Sequence, residues 1–208
     1  PSPDAAMRYV SPSHPDGGAQ RPPAVSPLAG REGEAARLGR FRRGALIHRL
    51  LEKLPDIAPA ERRAVAERLL AREPGLDAAR AEEMIAAALG VIEDARFAPV
   101  FAPGSRAEAV LSGPAPELPD GVVVSGRIDR LAVSDDRVLV VDFKTNRPAP
   151  ARIEDADPAH IRQLAAYVAV LRGLYPGREV EAALVWTDGP RLMPVSRALM
   201  DEKLAAMR

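Results

Sequence analysis

The sequence predicts an α/β fold: a mixed central sheet flanked by helices, with an N-terminal helical extension. Three observations predict it. Residues 122–145, VVVSGRIDRLAVSDDRVLVVDFKT, are two runs rich in Val, Ile and Leu flanking Ser134-Asp135-Asp136-Arg137, which is how a β-hairpin reads. A helical stretch ending at Arg172 leads into a strand-like stretch at residues 179–187, a β-α-β connection that requires a parallel pairing. Ahead of the first strand lie helical segments between Phe41 and Glu93.

Residues 1–40 are rich in Pro, Gly, Ser and Ala, include SPSHPDGGAQRPPAVSP and have almost no apolar periodicity, so they read as a flexible linker ahead of a domain at 41–208. Such a start, without an initiator Met, reads as a piece of something longer. Residues 41–54, FRRGALIHRLLEKL, carry Leu46, Ile47, Leu50, Leu51 and Leu54 as one apolar stripe, with Pro55 closing the helix and His48 inside it. Residues 59–72 and 77–93 form two more helices, Ala-rich with charged outer faces. A Pro/Gly loop from Phe97 leads into a short strand at 106–111 that carries Glu108, and a second loop at 112–121 precedes the hairpin. After Thr145, NRPAPARIEDADP is a loop and HIRQLAAYVAVLR a helix, on which Gln163 and Tyr167 are four apart and share a face. Both side chains can donate hydrogen bonds. Asp188-Gly189 turns the chain into RLMPV, and a helix at 196–207 ends it.

Each run of the hairpin carries one acid where an apolar side chain is expected, Asp129 in the first and Asp142 in the second. A two-residue turn at Asp135-Asp136 sets Ser134 opposite Arg137, and counting back along both strands then sets Asp129 opposite Asp142 on one face. A four-residue loop gives the same register, whereas a three-residue loop or a bulge breaks it. Lys144, two residues after Asp142, joins that face. Facing carboxylates repel unless one is protonated or a cation lies between them. Oxygen ligands with a Lys beside them suit Mg²⁺, with Mn²⁺ as a substitute, better than zinc. Such an ion polarises a phosphodiester and lowers the pKa of bound water, while the ammonium orients that water or offsets phosphate charge. Of the 29 basic residues only Lys53, Lys144 and Lys203 are lysines, so a Lys at this point of an Arg-using chain is informative.

Composition bounds the remaining choices. With 208 residues and 47% hydrophobic content the chain can build a real core. Its formal net charge is zero, so any contact with DNA must come from a local basic surface. There is no Cys, hence no disulfide framework, thiolate metal site or iron–sulfur cluster in this chain, and the cytoplasm is the expected location. The sequence holds neither a membrane-spanning run nor a signal-peptide pattern, and no GxxxxGK[ST] loop for ATP.

With these pieces in place the chain resembles the PD-(D/E)xK nucleases of the RecB type, which have a restriction-endonuclease-like core. More narrowly, it resembles the C-terminal nuclease domains of the AddA-type helicase/nuclease subunits of bacterial double-strand-break repair. RGALIHRLL around His48, SRAEAVLSG around Glu108, SGRIDRL around Asp129, VVDFKTNRP around Asp142 and Lys144, and RQLAAY with Gln163 and Tyr167 carry the likeness, from about Phe41 to beyond Trp186. The resemblance implies that His48, Asp129, Asp142 and the backbone carbonyl of Phe143 hold the divalent ion and that Lys144 is catalytic. It also implies that Gln163 and Tyr167 hold the DNA strand, and that Glu108 is a further acid of the site. Phe143 stands where the family often has Tyr, which leaves a backbone ligand unaffected. The implied activity is exonucleolytic cutting of the 3′-terminated strand from an unwound duplex end. The implied partners are an ATP-driven helicase domain upstream in the same parent chain and an AddB subunit with its own nuclease and iron–sulfur cluster. A competing reading of the same residues is a catalytically silent DNA-end clamp or partner-docking module; the intact Asp, Asp and Lys argue against it.

Overall fold

Residues 8–10, 31–119 and 121–207 are described by the computed structural model of the chain, and the hairpin expected at its centre is there. In chain order the elements are β1 (Arg8–Val10), α1 (Arg31–Lys53), α2 (Arg62–Leu70), α3 (Ala78–Ile92), β2 (Arg106–Pro114), β3 (Val122–Val133), β4 (Arg137–Lys144), α4 (Pro158–Leu174), β5 (Glu179–Trp186), β6 (Arg191–Val195) and α5 (Arg197–Ala205). The strands form one sheet in the order β1-β3-β4-β5-β6, with β2 also paired to β3. β4 and β5 run parallel, as the β-α-β connection through α4 demands, and so do β1 and β3; the other pairings are antiparallel. The sheet is therefore mixed, and helices flank both of its faces.

Local chemistry sets the helix ends. Asp77 caps α3 by accepting from the Arg80 N–H at 2.8 Å, and Asp157 caps α4 by accepting from the Ala159 N–H at 2.8 Å, with Pro158 in the first turn. α4 lies against the sheet and against α5; Ile161, Leu164, Ala165, Val168 and Leu171 pack there with Val138, Val140, Leu184 and Met200. On the opposite face the stripe Leu46, Ile47, Leu50, Leu51 and Leu54 of α1 joins Ile85, Ala88 and Leu89 of α3 over Val141, Phe143 and Val185.

Several boundaries differ from the sequence expectation; β2, for one, runs on to Pro114, into the loop expected from 112. α1 begins at Arg31 rather than at Phe41, because REGEAARLGR is made largely of good helix formers with acids in its first turn. β1 also falls inside the expected linker. The rest of that linker, residues 1–7 and 11–30, lies outside the described residues. RLMPV, which the sequence left as the far side of a turn, is strand β6.

The hairpin register is the expected one. The Ser134 N–H donates to the Arg137 carbonyl at 2.8 Å, and the ladder runs from Val133 opposite Val138 to Arg130 opposite Val141. There it stops, one step short of the two acids.

Candidate active site

The ladder stops because β3 loses step at Asp129. Ile128 and Leu131, three residues apart, both pack into the core beneath α4, whereas strict alternation would send them to opposite faces. The β2–β3 pairs Ala107–Arg130 and Ala109–Ile128 bracket Glu108 and Asp129, and Glu108 holds a left-handed backbone with φ of 51°. That conformation costs a non-glycine residue on the order of 1 kcal/mol or more and is concentrated at functional sites. Its consequence is a kink that frees the Asp129 carboxylate from a plain strand position. The carboxylate takes a hydrogen bond from the Phe143 N–H at 2.8 Å, so β3 supplies a side-chain acceptor to the β4 donor where the ladder ends. Asp129 and Asp142 are thus close but are not a regular cross-strand pair.

Lys144 Nζ lies 2.5 Å from Asp142 Oδ2, and the two side chains are only 13% and 10% exposed. The Oδ2 atom is buried and the contact is an ion pair without hydrogen-bond geometry. His48 comes from the other side of the sheet: its ring packs edge-on to Phe143 at 6.2 Å, and its Nδ1 is 3.6 Å from Asp129 Oδ2. Gly44, one turn earlier in α1, permits this approach, since a Cβ there would lie 2.9 Å from Thr145 Oγ1.

The electrostatics follow from burial and crowding. Burial and the Asp142 charge push the Asp129 carboxyl up to about 8, against the Phe143 N–H and the Lys144 ammonium, which favour its charged form. Burial holds the His48 imidazole below its ordinary range, helped by Lys144 and opposed by Asp142, Glu108 and a hydrogen bond with the Phe143 backbone. A neutral imidazole is the ligand form of histidine. In an extended strand the N–H and C=O of one residue point the same way, so the Phe143 carbonyl lies on the Asp129 side, as a backbone ligand requires.

Among the described residues no group of three or more His, Cys, Asp or Glu side chains is gathered at metal-holding geometry. The donor chemistry nevertheless fits a divalent cation. Two carboxylates that resist being ionised together, with a neutral imidazole beside them, gain from a shared positive charge.

The remaining expected residues separate. Glu108 stays near the acids: its charge acts on both Asp129 and His48, while its carboxylate pairs with Arg127 at 3.3 Å. Gln163 lies half-buried and donates to the Tyr167 hydroxyl at 3.3 Å. Tyr167 itself is 1% exposed, and its hydroxyl is pressed against Gly126 of β3. In this DNA-free structure the expected strand-holding residue Tyr167 packs between α4 and β3, with its hydroxyl enclosed.

Sequence reasoning passed over two contributors. His160, in the first turn of α4 and three residues before Gln163, feels the charges of Lys144 and Asp142, though burial is what chiefly lowers its pKa. Arg43 of α1 donates to the Thr145 carbonyl at 2.9 Å and to Glu83 at 2.7 and 3.1 Å; Arg147 pairs with the same Glu83 and with Asp188 at 3.1 Å. That network fastens the chain just after Lys144. The signal for Arg43 was its position five residues before His48, and for His160 its helical spacing from Gln163.

No helix among the described residues is long and apolar enough to cross a membrane. Comparison with curated proteins finds no match. Among solved structures the chain is similar to the one titled "Crystal structure of SSO0001", at 14% identity over 86% of this chain and 87% of that one, with a TM-score of 0.32. The family model of the PD-(D/E)XK nuclease superfamily matches residues 25–203, a span that includes every residue of the site above. By that match, over a mixed sheet flanked by helices, the chain belongs to the PD-(D/E)XK nuclease superfamily.

Proposed function

We propose that the chain is a divalent-metal-dependent deoxyribonuclease domain that hydrolyses phosphodiesters. The observation that carries this reading is the buried meeting of Asp129, Asp142 and Lys144 at the end of the β3–β4 ladder. Asp129, Asp142 and His48 would hold Mg²⁺, with the Phe143 carbonyl beside them. The bound ion supplies Lewis-acid polarisation of the phosphate and a water of lowered pKa.

The chain's own residues do the rest. The Phe143 N–H fixes the orientation of the Asp129 carboxylate. His48, kept neutral by burial, presents a nitrogen lone pair. Lys144 holds a proton near the reacting phosphate and offsets its charge, a contribution that preorganised charges make without reorganisation. Arg43, anchored to Glu83 and Thr145, keeps the end of β4 in place.

Within this reading the domain is an exonuclease of an AddA-type helicase/nuclease, cutting the 3′-terminated strand as an upstream motor of the same parent chain feeds it, in partnership with an AddB-type subunit. The support is sequence: SGRIDRL, VVDFKTNRP and RQLAAY occur in that order. The test is cleavage of single-stranded DNA labelled at either end, with Mg²⁺, Mn²⁺ or EDTA, by the chain and by Asp142→Ala. Metal-dependent shortening by the wild type alone supports the reading, and the label retained reports polarity. Equal inertness of the two proteins with DNA binding kept would leave the DNA-end clamp in its place.

A further inference from the structure

We propose that Phe41 is a base-stacking platform at the entrance of the site, taking an unpaired base of the strand whose phosphate reaches Lys144. The inference rests on the nuclease reading and deepens it by naming a residue that takes an unpaired base of the strand.

Phe41 is 70% exposed, which places a full aromatic face in water. Among the described residues two other large apolar side chains are comparably exposed, Val110 on β2 and Leu174 at the end of α4, and neither stands on the helix that carries His48. Phe41 does. At about 100° per residue, positions 41, 44 and 48 of α1 fall on one stripe, with 41 and 48 within roughly 20° of each other. The inner two members of that stripe have known neighbours: His48 meets Phe143 and Asp129, and Gly44 meets Thr145. Moving from His48 to Gly44 therefore follows β4 outward from Phe143 to Thr145, and Phe41 continues the same line past the strand end. It stands about 10 Å along the helix axis from His48, at 1.5 Å per residue.

Arg40, exposed beside Phe41, suits the same ligand. Arg42 on the other side is committed elsewhere: its guanidinium donates to the Pro74 carbonyl at 2.6 Å and pairs with Glu73 at 3.6 Å. A cation that tracks phosphates next to an aromatic face is how proteins hold single strands without reading their sequence. A duplex end offers no unpaired base to that face, so the platform favours the unwound strand.

The test compares wild type, Phe41→Ala and Phe41→Tyr in binding and cutting oligothymidylate, with Ca²⁺ replacing Mg²⁺ in the binding arm. A matching oligonucleotide lacking its bases removes stacking and keeps the phosphates. Stacking of one base predicts that Phe41→Ala weakens oligothymidylate binding about tenfold and raises KM to match, with kcat little moved, while Phe41→Tyr restores both. On the abasic strand all three proteins should bind alike.

Equal binding of oligothymidylate by all three, or equal weakening of Phe41→Ala on both strands, overturns the proposal. So does an effect of Phe41→Ala on self-association alone, which would make Phe41 a protein contact. The two readings fail separately. If the wild type cuts and Phe41→Ala is indistinguishable from it, only the platform falls. If no protein cuts but base-dependent binding through Phe41 remains, the hydrolytic reading falls and the platform stands.

Discussion

The backbone N–H of Phe143 donates to the side chain of Asp129 at 2.8 Å, so a carboxylate from β3 ends the β3–β4 ladder. One bond thereby does two things. It satisfies a strand donor that would otherwise lack an acceptor, and it aims the acid of β3 toward the acid of β4. The Asp129 carboxyl is pushed up to about 8 by burial and by Asp142, above the value it has in an unfolded chain.

Asp129→Asn should separate stability from activity. A folded-state pKa raised above the unfolded one stabilises the protein fully only below the unfolded value near 3.8, and that stability is lost progressively as pH climbs from there to about 8. Asn keeps an oxygen to accept from Phe143 and never ionises. In metal-free buffer Asp129→Asn should match the wild type most closely near pH 4 and be the more stable by a margin that widens up to about pH 8, where it is on the order of a few kcal/mol. Cleavage should fall at least about a hundredfold. Thermal melts across pH in EDTA decide it; a variant that loses stability at high pH as the wild type does would show that Asp129 is not the strained group.

Divalent cations should act with the opposite pH sense. Because metal binding displaces protons from its ligands, the stabilisation by Mn²⁺ grows with pH as Asp129 becomes easier to deprotonate. His48 adds to this at the acid end, since its lowered pKa means that the folded state loses stability when the imidazole is protonated as pH falls. The Mn²⁺-induced rise in Tm should be larger at pH 8 than at pH 6, and should shrink in His48→Ala and nearly vanish in Asp142→Ala.

The sequence made the hairpin legible because its turn and its two Val-rich runs leave one register, the observed one from Val133 through Arg130. It made the parallel pairing of β4 with β5 legible for the same kind of reason, a helix between two strands. The kink was harder to see. Ile128 and Leu131 are three apart, a break in the two-residue period, but such a break in a chain of many Val and Ala is quiet, and the left-handed Glu108 opposite it carries no glycine to announce it. The depth of Tyr167 was not legible, because four-residue spacing from Gln163 specifies a shared face, not how deep that face is buried. Arg43 and Glu83 meet across forty residues of sequence, and no local pattern encodes that contact.

Lys144→Met removes the ammonium that lies on Asp142 and leaves a buried carboxylate alone. Breaking one side of a buried pair typically costs about 3 kcal/mol or more. The variant should lose roughly that stability in EDTA, recover part of it in Mn²⁺, and be restored further by adding Asp142→Asn. Cleavage should drop by about two to three orders of magnitude in the single variant even where Mn²⁺ restores its Tm. A Lys144→Met protein that melts like the wild type in EDTA would mean that the 2.5 Å contact contributes nothing to the fold.

Gly126 and Tyr167 give a test of packing beneath the site. A Cβ on residue 126 would lie 2.3 Å from the Tyr167 hydroxyl and 2.7 Å from its ring, closer than real atoms come. Tyr167 is fully enclosed on α4, and that helix is itself pinned between the sheet and α5, so neither partner can retreat cheaply. Gly126→Ala should therefore destabilise by about 1 to 3 kcal/mol, the usual range for overpacking. Adding Tyr167→Phe removes the worst overlap but not the ring contact, so it should restore part of the loss in the double variant, a coupling that urea unfolding of the four proteins measures. Tyr167→Phe alone should alter strand binding little, because its hydroxyl faces Gly126 and Gln163 inside the fold. If it instead weakens oligonucleotide binding tenfold at unchanged stability, Tyr167 reaches the strand after all and α4 must shift when DNA is bound.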